Sequence, residues 1–168
     1  MGTQANRHRP GRDGSPGDHQ KDQAMKHQVT IGVDPGANGG IAWIMDGKAC
    51  AERMPDNLLD LCELIRDIAS EGQCKAYLES VSSSPQMGVV SAFSFGRGYG
   101  NLEMALTAAG VPFERVRPQV WQKALGCMTK GDKNITKKLA SELFPSIKCT
   151  HAISDSLLIA YYGTKQNQ

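Results

Sequence analysis

Apolar residues follow two different periods along the chain from Gln28 onward. Short apolar and β-branched runs that end at turn residues predict strands. The predicted strands are Val29–Val33, Ile41–Met45, Lys48–Arg53, Cys74–Glu79 and Pro112–Val116. The dipeptide Asp46-Gly47 is a strong hairpin signal between the second and third strands. The first three strands are therefore expected to form an antiparallel meander.

Helical spacing recurs in the longer segments between and after these strands. The segments with that spacing are Asn57–Glu71, Val89–Ala109, Gln119–Leu125, Asn134–Phe144 and Ile153–Tyr162. Glycines 96, 98 and 100 are expected to disturb the middle of the second helix. Three strands followed by alternating helices and strands imply an α/β fold, with a mixed five-stranded sheet and helices on both faces.

The N-terminal segment differs from the rest of the chain. Residues 1–24 are rich in polar residues, Gly and Pro and contain almost no large apolar side chain, so we expect a disordered tail. The tail has no apolar region typical of a secretory signal. Met25 is a second plausible start, which would make the tail an added or wrongly assigned extension. Residues 25–168 are expected to form one domain.

Composition excludes several classes of protein. No apolar stretch of the 168 residues approaches the roughly 18 residues that a membrane span needs. The five cysteines form no Cys-x-x-Cys pair, which argues against a zinc site or a disulfide framework and for a reducing compartment. We therefore expect a cytoplasmic protein. The net charge of +2 does not by itself indicate a nucleic-acid partner.

Candidate chemistry is concentrated at two strand ends and on the last helix. Asp34 ends the first strand and precedes the glycine-rich turn 36–40, which leaves room for a phosphate or a metal ion. Glu79 ends the fourth strand. His151 and Asp155 lie four residues apart, on one face of the last helix. If the first and fourth strands are adjacent, three carboxylates and one imidazole meet.

This set of side chains is suited to divalent cations. Oxygen-rich clusters favour Mg²⁺ or Mn²⁺, and a single nitrogen ligand favours Mn²⁺ slightly. Two such ions about 4 Å apart can activate water and stabilise the leaving oxygen of a phosphodiester. Each residue taken alone is more often a helix cap or a solvated loop residue. Their joint placement favours a functional site.

At this point the sequence resembles a known family. Gly32-Val33-Asp34-Pro35-Gly36, the strand that ends in Glu79, and residues 151–160 are similar to the RuvC-type Holliday junction resolvases. The resemblance covers about residues 28–163. Further segments resemble the phage and prophage branch: Gly88–Gly100, Pro118–Lys123, Lys133 and Leu143–Pro145.

The resemblance implies an RNase H-like fold and a metal-dependent endonuclease that nicks branched DNA, usually as a homodimer. It implies that Asp34 bridges two Mg²⁺ or Mn²⁺ ions and that Glu79 and Asp155 hold one each. Many members carry another acid where this chain has Ala152. His151, one residue earlier, is carried over as an assisting ligand.

A basic segment indicates DNA binding. Residues 117–138 contain one acid, Asp132, and six basic residues: Arg117, Lys123, Lys130, Lys133, Lys137 and Lys138. Such a patch can neutralise phosphates, although a solvated helix face has the same composition. The resemblance places Lys133 near the scissile phosphate, where it would stabilise charge. Arg97, Lys123 and Lys137 are further candidates for DNA contacts.

Apolar candidates lie after Glu79. The polar loop Ser80–Gly88 is expected to be flexible, and Met87, Phe93 or Phe95 could wedge between bases. Core packing is the alternative for both phenylalanines. Trp121 is interpreted mainly as a packing residue. The helix Val89–Ala109 is a candidate dimer interface.

Two other functions stay open. One is a protein of the same fold that binds DNA junctions with weak or no cleavage. The other is a phosphate-loop ATPase or sugar kinase, whose first phosphate loop also follows a strand that ends in Asp. Those enzymes need a second such loop and a longer chain, which makes this alternative weaker.

Overall fold

A computed structural model of the chain describes residues 27–82 and 86–167. The strands are β1 (Gln28–Asp34), β2 (Gly40–Met45), β3 (Lys48–Arg53), β4 (Gln73–Glu79) and β5 (Phe113–Val116). The helices are α1 (Leu58–Ser70), α2 (Val89–Ala108), α3 (Pro118–Ala124), α4 (Asn134–Leu143) and α5 (His151–Gln166). The predicted tail (residues 1–24), the domain start at Met25 and residues 83–85 of the predicted loop lie outside the described residues.

The five strands form one mixed sheet in the order β3-β2-β1-β4-β5. β2 is antiparallel to both β1 and β3, whereas β4 is parallel to both β1 and β5. The β2–β3 hairpin turns at Asp46 and Gly47, which have φ angles of 50° and 76°. Positive φ at both positions is the geometry that Asp-Gly favours in two-residue hairpins. The predicted meander and mixed sheet are confirmed.

Successive side chains of each strand point to opposite faces of the sheet, which creates two cores, one on each face. Val29, Ile31 and Val33 of β1 pack on one face with residues of α1 and α2, such as Ile65 and Leu102. The other face is covered by α3, α4 and α5, and its core includes Ala42, Tyr77, Trp121, Leu157 and Leu158. Helices on both faces are therefore confirmed as well.

Close approach of α5 to β1 depends on Gly32. A Cβ at this position would collide with the backbone of Ser156 and Ala160. Residues 153–160 of α5 are all buried. Glycine thus allows a helix backbone to lie directly on the central strand, and this contact fixes which residues of α5 face the end of β1.

The expectation that glycines disturb α2 is wrong, because α2 is continuous from Val89 to Ala108. Glycine in a helix interior costs only about 1 kcal/mol relative to alanine. Burial of Leu102 and Leu106 anchors the C-terminal half. The N-terminal half is exposed: the exposed fraction is 86% for Val89 and 71% for Phe93. Phe93 is thus not a core residue.

Candidate functional site

The register of two parallel strands brings Asp34 and Glu79 together. Val33 of β1 pairs with Leu78 of β4, so Asp34 and Glu79 are the next residues on adjacent strands. Side chains alternate between faces, and both acids lie on the face covered by α5. Both are buried, with exposed fractions of 8%.

Asp155 reaches the same place from α5. It is buried on the second turn of the helix, next to Ser154 and Ser156, which are also buried. Its Oδ1 has no hydrogen-bond partner within the described part of the chain. A buried carboxylate oxygen without a donor is costly, so an unpaired oxygen of this kind is typical of a site that binds a cation or another ligand.

The electrostatics of Asp34 show that these acids act on one another. Burial, followed by the charges of Glu79 and Asp155, raises the pKa of Asp34 to about 8, and the Lys133 ammonium partly opposes this shift. A carboxyl group with this pKa is largely protonated at neutral pH. A cation bound between the acids would counteract this shift, because it would compensate the like charges.

Glu79 has a dedicated hydrogen-bond donor. Burial is the largest effect and raises the pKa of Glu79, while a hydrogen bond from Trp121 lowers it. The charge of Asp155 raises this pKa further, and that of Lys133 lowers it. The indole Nε1 of Trp121 donates to Oε1 of Glu79 at 2.9 Å. Sequence reasoning treated Trp121 as a packing residue and missed this bond.

Lys133 is held beside the acids by an irregular turn. Lys130 and Gly131 have φ angles of 48° and 98°, and α4 begins directly after Lys133. Oδ1 of Asp132 accepts hydrogen bonds from the backbone N–H and the side-chain amide of Asn134, both at 2.9 Å. The side chain of Lys133 is exposed, yet its charge acts on both Asp34 and Glu79.

His151 occupies a different environment from Asp155. It is the exposed first residue of α5 and lines a surface cavity together with Asn38 and Arg53. Asp155, one turn later on the same helix, is buried. The structure thus leaves His151 exposed at the start of α5, and its role as an assisting ligand stays a prediction.

The glycines after Asp34 serve the turn itself. A Cβ at Gly39 would collide with the backbone carbonyl of Asp34. Gly36 has a φ angle of 108°, and its carbonyl accepts a hydrogen bond from Gly39 at 3.0 Å. The chain's own backbone therefore requires small residues here, whether or not a phosphate also approaches. The ring of Phe95 lies near Gly36, which brings α2 close to this turn.

The structure distributes the candidate DNA-binding residues over four segments. Arg97 and Phe93 are exposed on α2, Lys123 is exposed in the last turn of α3, and Met87 is half-buried just before α2. Among the described residues, neither Arg97 nor Lys123 forms an ion pair with Asp34, Glu79 or Asp155. Lys137 is half-buried on α4, and its backbone N–H donates to the carbonyl of Lys133 at 3.2 Å.

Cys127 is a second neighbour of the acids that sequence reasoning missed. Its thiol is buried, and burial together with the charge of Asp155 raises its pKa. The cysteines of the described residues are all free, and their reduced state in the cell stays a prediction. No signal in the sequence links Cys127 to Asp155, because the two positions come together only when α3 and α5 pack on the same face.

The donor set fits a hard divalent cation in its chemistry. Three carboxylates meet, one buried oxygen lacks a partner, and burial together with like charges raises the pKa of Asp34. In the described segments, however, no group of three or more His, Cys, Asp or Glu side chains is already arranged as a metal site. Of the helices described, none is long and apolar enough to cross a membrane.

The strand order and the helices on both faces define an RNase H-like α/β fold. Two structures of RuvC from Thermus thermophilus, one of them in complex with a Holliday junction substrate, match 83% of this chain and 96% of their own length. The TM-scores are 0.59 at 18% identity for the complex and 0.58 at 15% identity for the other structure.

The yeast mitochondrial Holliday junction resolvase Ydc2 also matches, with a TM-score of 0.43 and 13% identity over 81% of this chain and 77% of its own. No protein-family model and no curated protein sequence matches. The fold is thus that of RuvC-type resolvases, which confirms the predicted resemblance at the level of fold. The phage and prophage branch stays a prediction.

Proposed function

We propose that this protein is a metal-dependent endonuclease that hydrolyses phosphodiesters in branched DNA, with four-way junctions as the preferred substrate. The observation that supports this most strongly is the convergence of Asp34, Glu79 and Asp155 from β1, β4 and α5. A RuvC structure with a similar fold is described in complex with a Holliday junction substrate. Asp34 and Glu79 lie at the carboxyl ends of their strands, where an α/β sheet typically carries its chemistry.

The cofactor in this proposal is Mg²⁺ or Mn²⁺, with two ions per site. Asp34 would be the shared ligand, Glu79 and Asp155 would hold one ion each, and His151 would assist. When bound, the ions would lower the pKa of a water molecule and neutralise charge on the phosphate. The fit rests on the three carboxylates and on the unpaired Oδ1 of Asp155.

Residues of the chain itself would set the charges around the reacting phosphate. Asp34 would have to lose its proton, which the nearby Lys133 ammonium favours. The same ammonium would stabilise negative charge that develops on the scissile phosphate, as preorganised cations do in phosphoryl transfer. Trp121 would keep Glu79 ionised and in place through its N–H group.

DNA would be bound by basic residues and opened by apolar ones. Lys133 at the N-cap of α4, Lys137 on α4, Lys123 on α3 and Arg97 on α2 would contact phosphates. Met87 and the exposed Phe93 would insert between bases at the branch point. A homodimer through the exposed half of α2 would match the two-fold symmetry of a junction, and its cellular role would be in DNA recombination and repair.

A second candidate function is junction binding without efficient cleavage. Ala152 lacks the carboxylate that many resolvases carry at this position, and the described acids do not form a ready-made metal site. In this reading the basic and apolar surface around α2–α4 binds the branch point, and the buried acids serve only the fold.

A nicking assay separates the two functions. The full chain would be incubated with labelled four-way, three-way and linear DNA of the same sequence, in Mg²⁺, in Mn²⁺ and in EDTA. We expect nicks in the four-way junction that require the metal ion, and little cleavage of linear DNA. Binding of the four-way junction without nicks in either metal would leave the junction-binding function.

A further inference from the structure

Trp121 differs from an ordinary core tryptophan because its one polar atom donates a hydrogen bond to a carboxyl group. The side chain has an exposed fraction of 0%, and its Nε1 donates to Oε1 of Glu79 at 2.9 Å. An indole nitrogen is a donor only, so the bond fixes which role each partner takes. The bond uses one lone pair of Oε1 and leaves Oε2 without a bond to Trp121.

The backbone fixes this donor relative to Glu79. Val116, the last residue of β5, pairs with Glu79, and its carbonyl accepts a hydrogen bond from the backbone N–H of Ser80 at 2.7 Å. Pro118 then begins α3, with Arg117 as the N-cap residue. Proline at the first position of a helix predefines the backbone direction. Trp121 therefore enters the core one turn later, beside the end of β4.

Packing leaves the indole little freedom to adjust. Trp121 belongs to the core that also contains Tyr77, Leu157 and Leu158. A large ring enclosed by strand and helix side chains keeps one orientation, so the position of its N–H group is set before any ligand binds. The bond accordingly constrains Glu79, which is the smaller and more flexible of the two side chains.

We infer that Trp121 is a positioning residue of the metal site: it holds Oε1 of Glu79 and thereby aims Oε2 at the cation. This inference rests on the proposed function. Residues that orient a metal ligand through a hydrogen bond typically change metal affinity or activity by about 10- to 100-fold when they are replaced. Burial of the bond away from water strengthens its effect on the carboxylate.

The test compares Trp121→Phe with a control that the chain supplies. Trp43, the other tryptophan, is half-buried on β2 and packs against the core on the opposite face of the sheet. Binding of Mn²⁺ to the full chain would be measured by titration calorimetry for the wild type, W121F and W43F. We expect W121F to bind Mn²⁺ about 10- to 100-fold more weakly and W43F to bind within about twofold of the wild type.

The dependence of cleavage on Mn²⁺ concentration is a second measurement, and a loss of packing alone would not produce the expected result. In W121F, kcat on a four-way junction should fall at low Mn²⁺ and recover as the Mn²⁺ concentration rises, while the Kd for the junction in EDTA stays unchanged. Equal Mn²⁺ affinities of W121F and the wild type would overturn the inference alone. A wild-type chain that binds no Mn²⁺ would overturn the inference and the proposed function together.

A second variant covers the case in which W121F does not fold. In a W43F background, Trp121 is the one remaining tryptophan. Biosynthetic replacement of tryptophan by benzothienylalanine would then exchange the N–H group for sulfur and keep the shape of the ring. We expect the same loss of Mn²⁺ affinity with a native circular dichroism spectrum. Unchanged affinity in this protein would contradict the inference.

Discussion

Asp34 and Glu79 end neighbouring parallel strands, one residue beyond the Val33–Leu78 pair. Because β1 and β4 run in the same direction, their carboxyl ends meet at one edge of the sheet. α5 then adds Asp155 from the helix that lies directly on Gly32. Three carboxylates are therefore forced together by the fold itself, and the cost of this arrangement leads to the first prediction.

Removal of the Asp34 charge should stabilise the metal-free protein at high pH. The folded pKa of Asp34, about 8, lies above its usual value of 3.8. The folded state therefore binds more protons between these values, and the free energy of unfolding falls as pH rises through this window. Asp34→Asn removes this loss, and each unit of pKa shift corresponds to about 1.4 kcal/mol.

Urea denaturation in EDTA at pH 5 and at pH 8.5 would measure this effect. We expect D34N to exceed the wild type in stability by at least about 1 kcal/mol more at pH 8.5 than at pH 5. Asp67→Asn, an exposed change on α1, is the matched control and should show no such pH dependence. A D34N protein whose advantage does not grow with pH would show that the pKa of Asp34 is not raised in the folded state.

Divalent cations should stabilise the folded chain through Asp155. Mn²⁺ at about 100 times its Kd would add about 2.7 kcal/mol to the free energy of unfolding. The gain should be larger at pH 8 than at pH 6, because the carboxylates must lose protons to bind a cation. Asp155→Asn should abolish most of it, and His151→Ala should reduce it less, as expected for an exposed assisting ligand at the start of α5.

Thermal melting at several Mn²⁺ concentrations would measure these gains. If D155N and the wild type are stabilised equally by Mn²⁺, the cation binds elsewhere. A larger loss in H151A than in D155N would make His151 the principal ligand of the pair.

Lys133 should matter for the rate of cleavage more than for DNA affinity. Lys133→Ala removes the cation that acts on both Asp34 and Glu79. We expect kcat to fall by about 10²- to 10³-fold, the typical loss when one preorganised charge-stabilising group is removed. The Kd for a junction should change only a few-fold. Since Lys133 lowers the pKa of both acids, the pH of half-maximal rate should also rise.

Lys138→Ala is the matched control for this change. Lys138 lies on α4, of which Lys133 is the N-cap residue, and its side chain is 80% exposed. Its Nζ lies 4.0 Å from Oε1 of Glu142 on the next turn. Rates measured under single-turnover conditions across pH 6–9 should leave K138A close to the wild type. Equal losses in K133A and K138A would mean that α4 contributes only general phosphate binding.

Two glycines should respond in opposite directions to alanine. Gly32→Ala places a Cβ against the backbone of α5 and should destabilise the fold by at least about 2 kcal/mol. Gly98→Ala on α2 meets nothing within 4 Å and should stabilise it by about 0.5–1 kcal/mol. Denaturant midpoints at constant m would check both. A neutral G32A would contradict the close approach of α5 to β1.

The sequence predicted the parts of this fold that depend on local patterns. The alternation of apolar and polar residues and the Asp46-Gly47 turn are local signals. They were sufficient to predict the meander of β1, β2 and β3. Asp34 and Glu79 were recognisable because each stands at the end of an apolar strand. That they lie close together could be predicted only on the condition that β1 and β4 are adjacent, since strand order depends on how helices cover the sheet.

Other features depend on tertiary packing and left no local signal. The Trp121–Glu79 bond joins residues 42 positions apart, so only the three-dimensional fold reveals it. The continuity of α2 through its glycines follows from the burial of its C-terminal half, at Leu102 and Leu106. Exposure of Phe93 reflects the same geometry, because the N-terminal half of α2 extends beyond the sheet-facing core.

The most direct test of the metal-dependent site is the nicking rate of a four-way junction by the wild type and by D34N at equal junction occupancy. Occupancy would be set by filter binding in Ca²⁺, and the reaction would be started with Mn²⁺ or Mg²⁺. We expect D34N to bind the junction like the wild type and to cut it at least about 10³-fold more slowly, as when a residue at the centre of a catalytic unit is removed. Cleavage by D34N at the wild-type rate would contradict the account, because it would remove Asp34 from the mechanism.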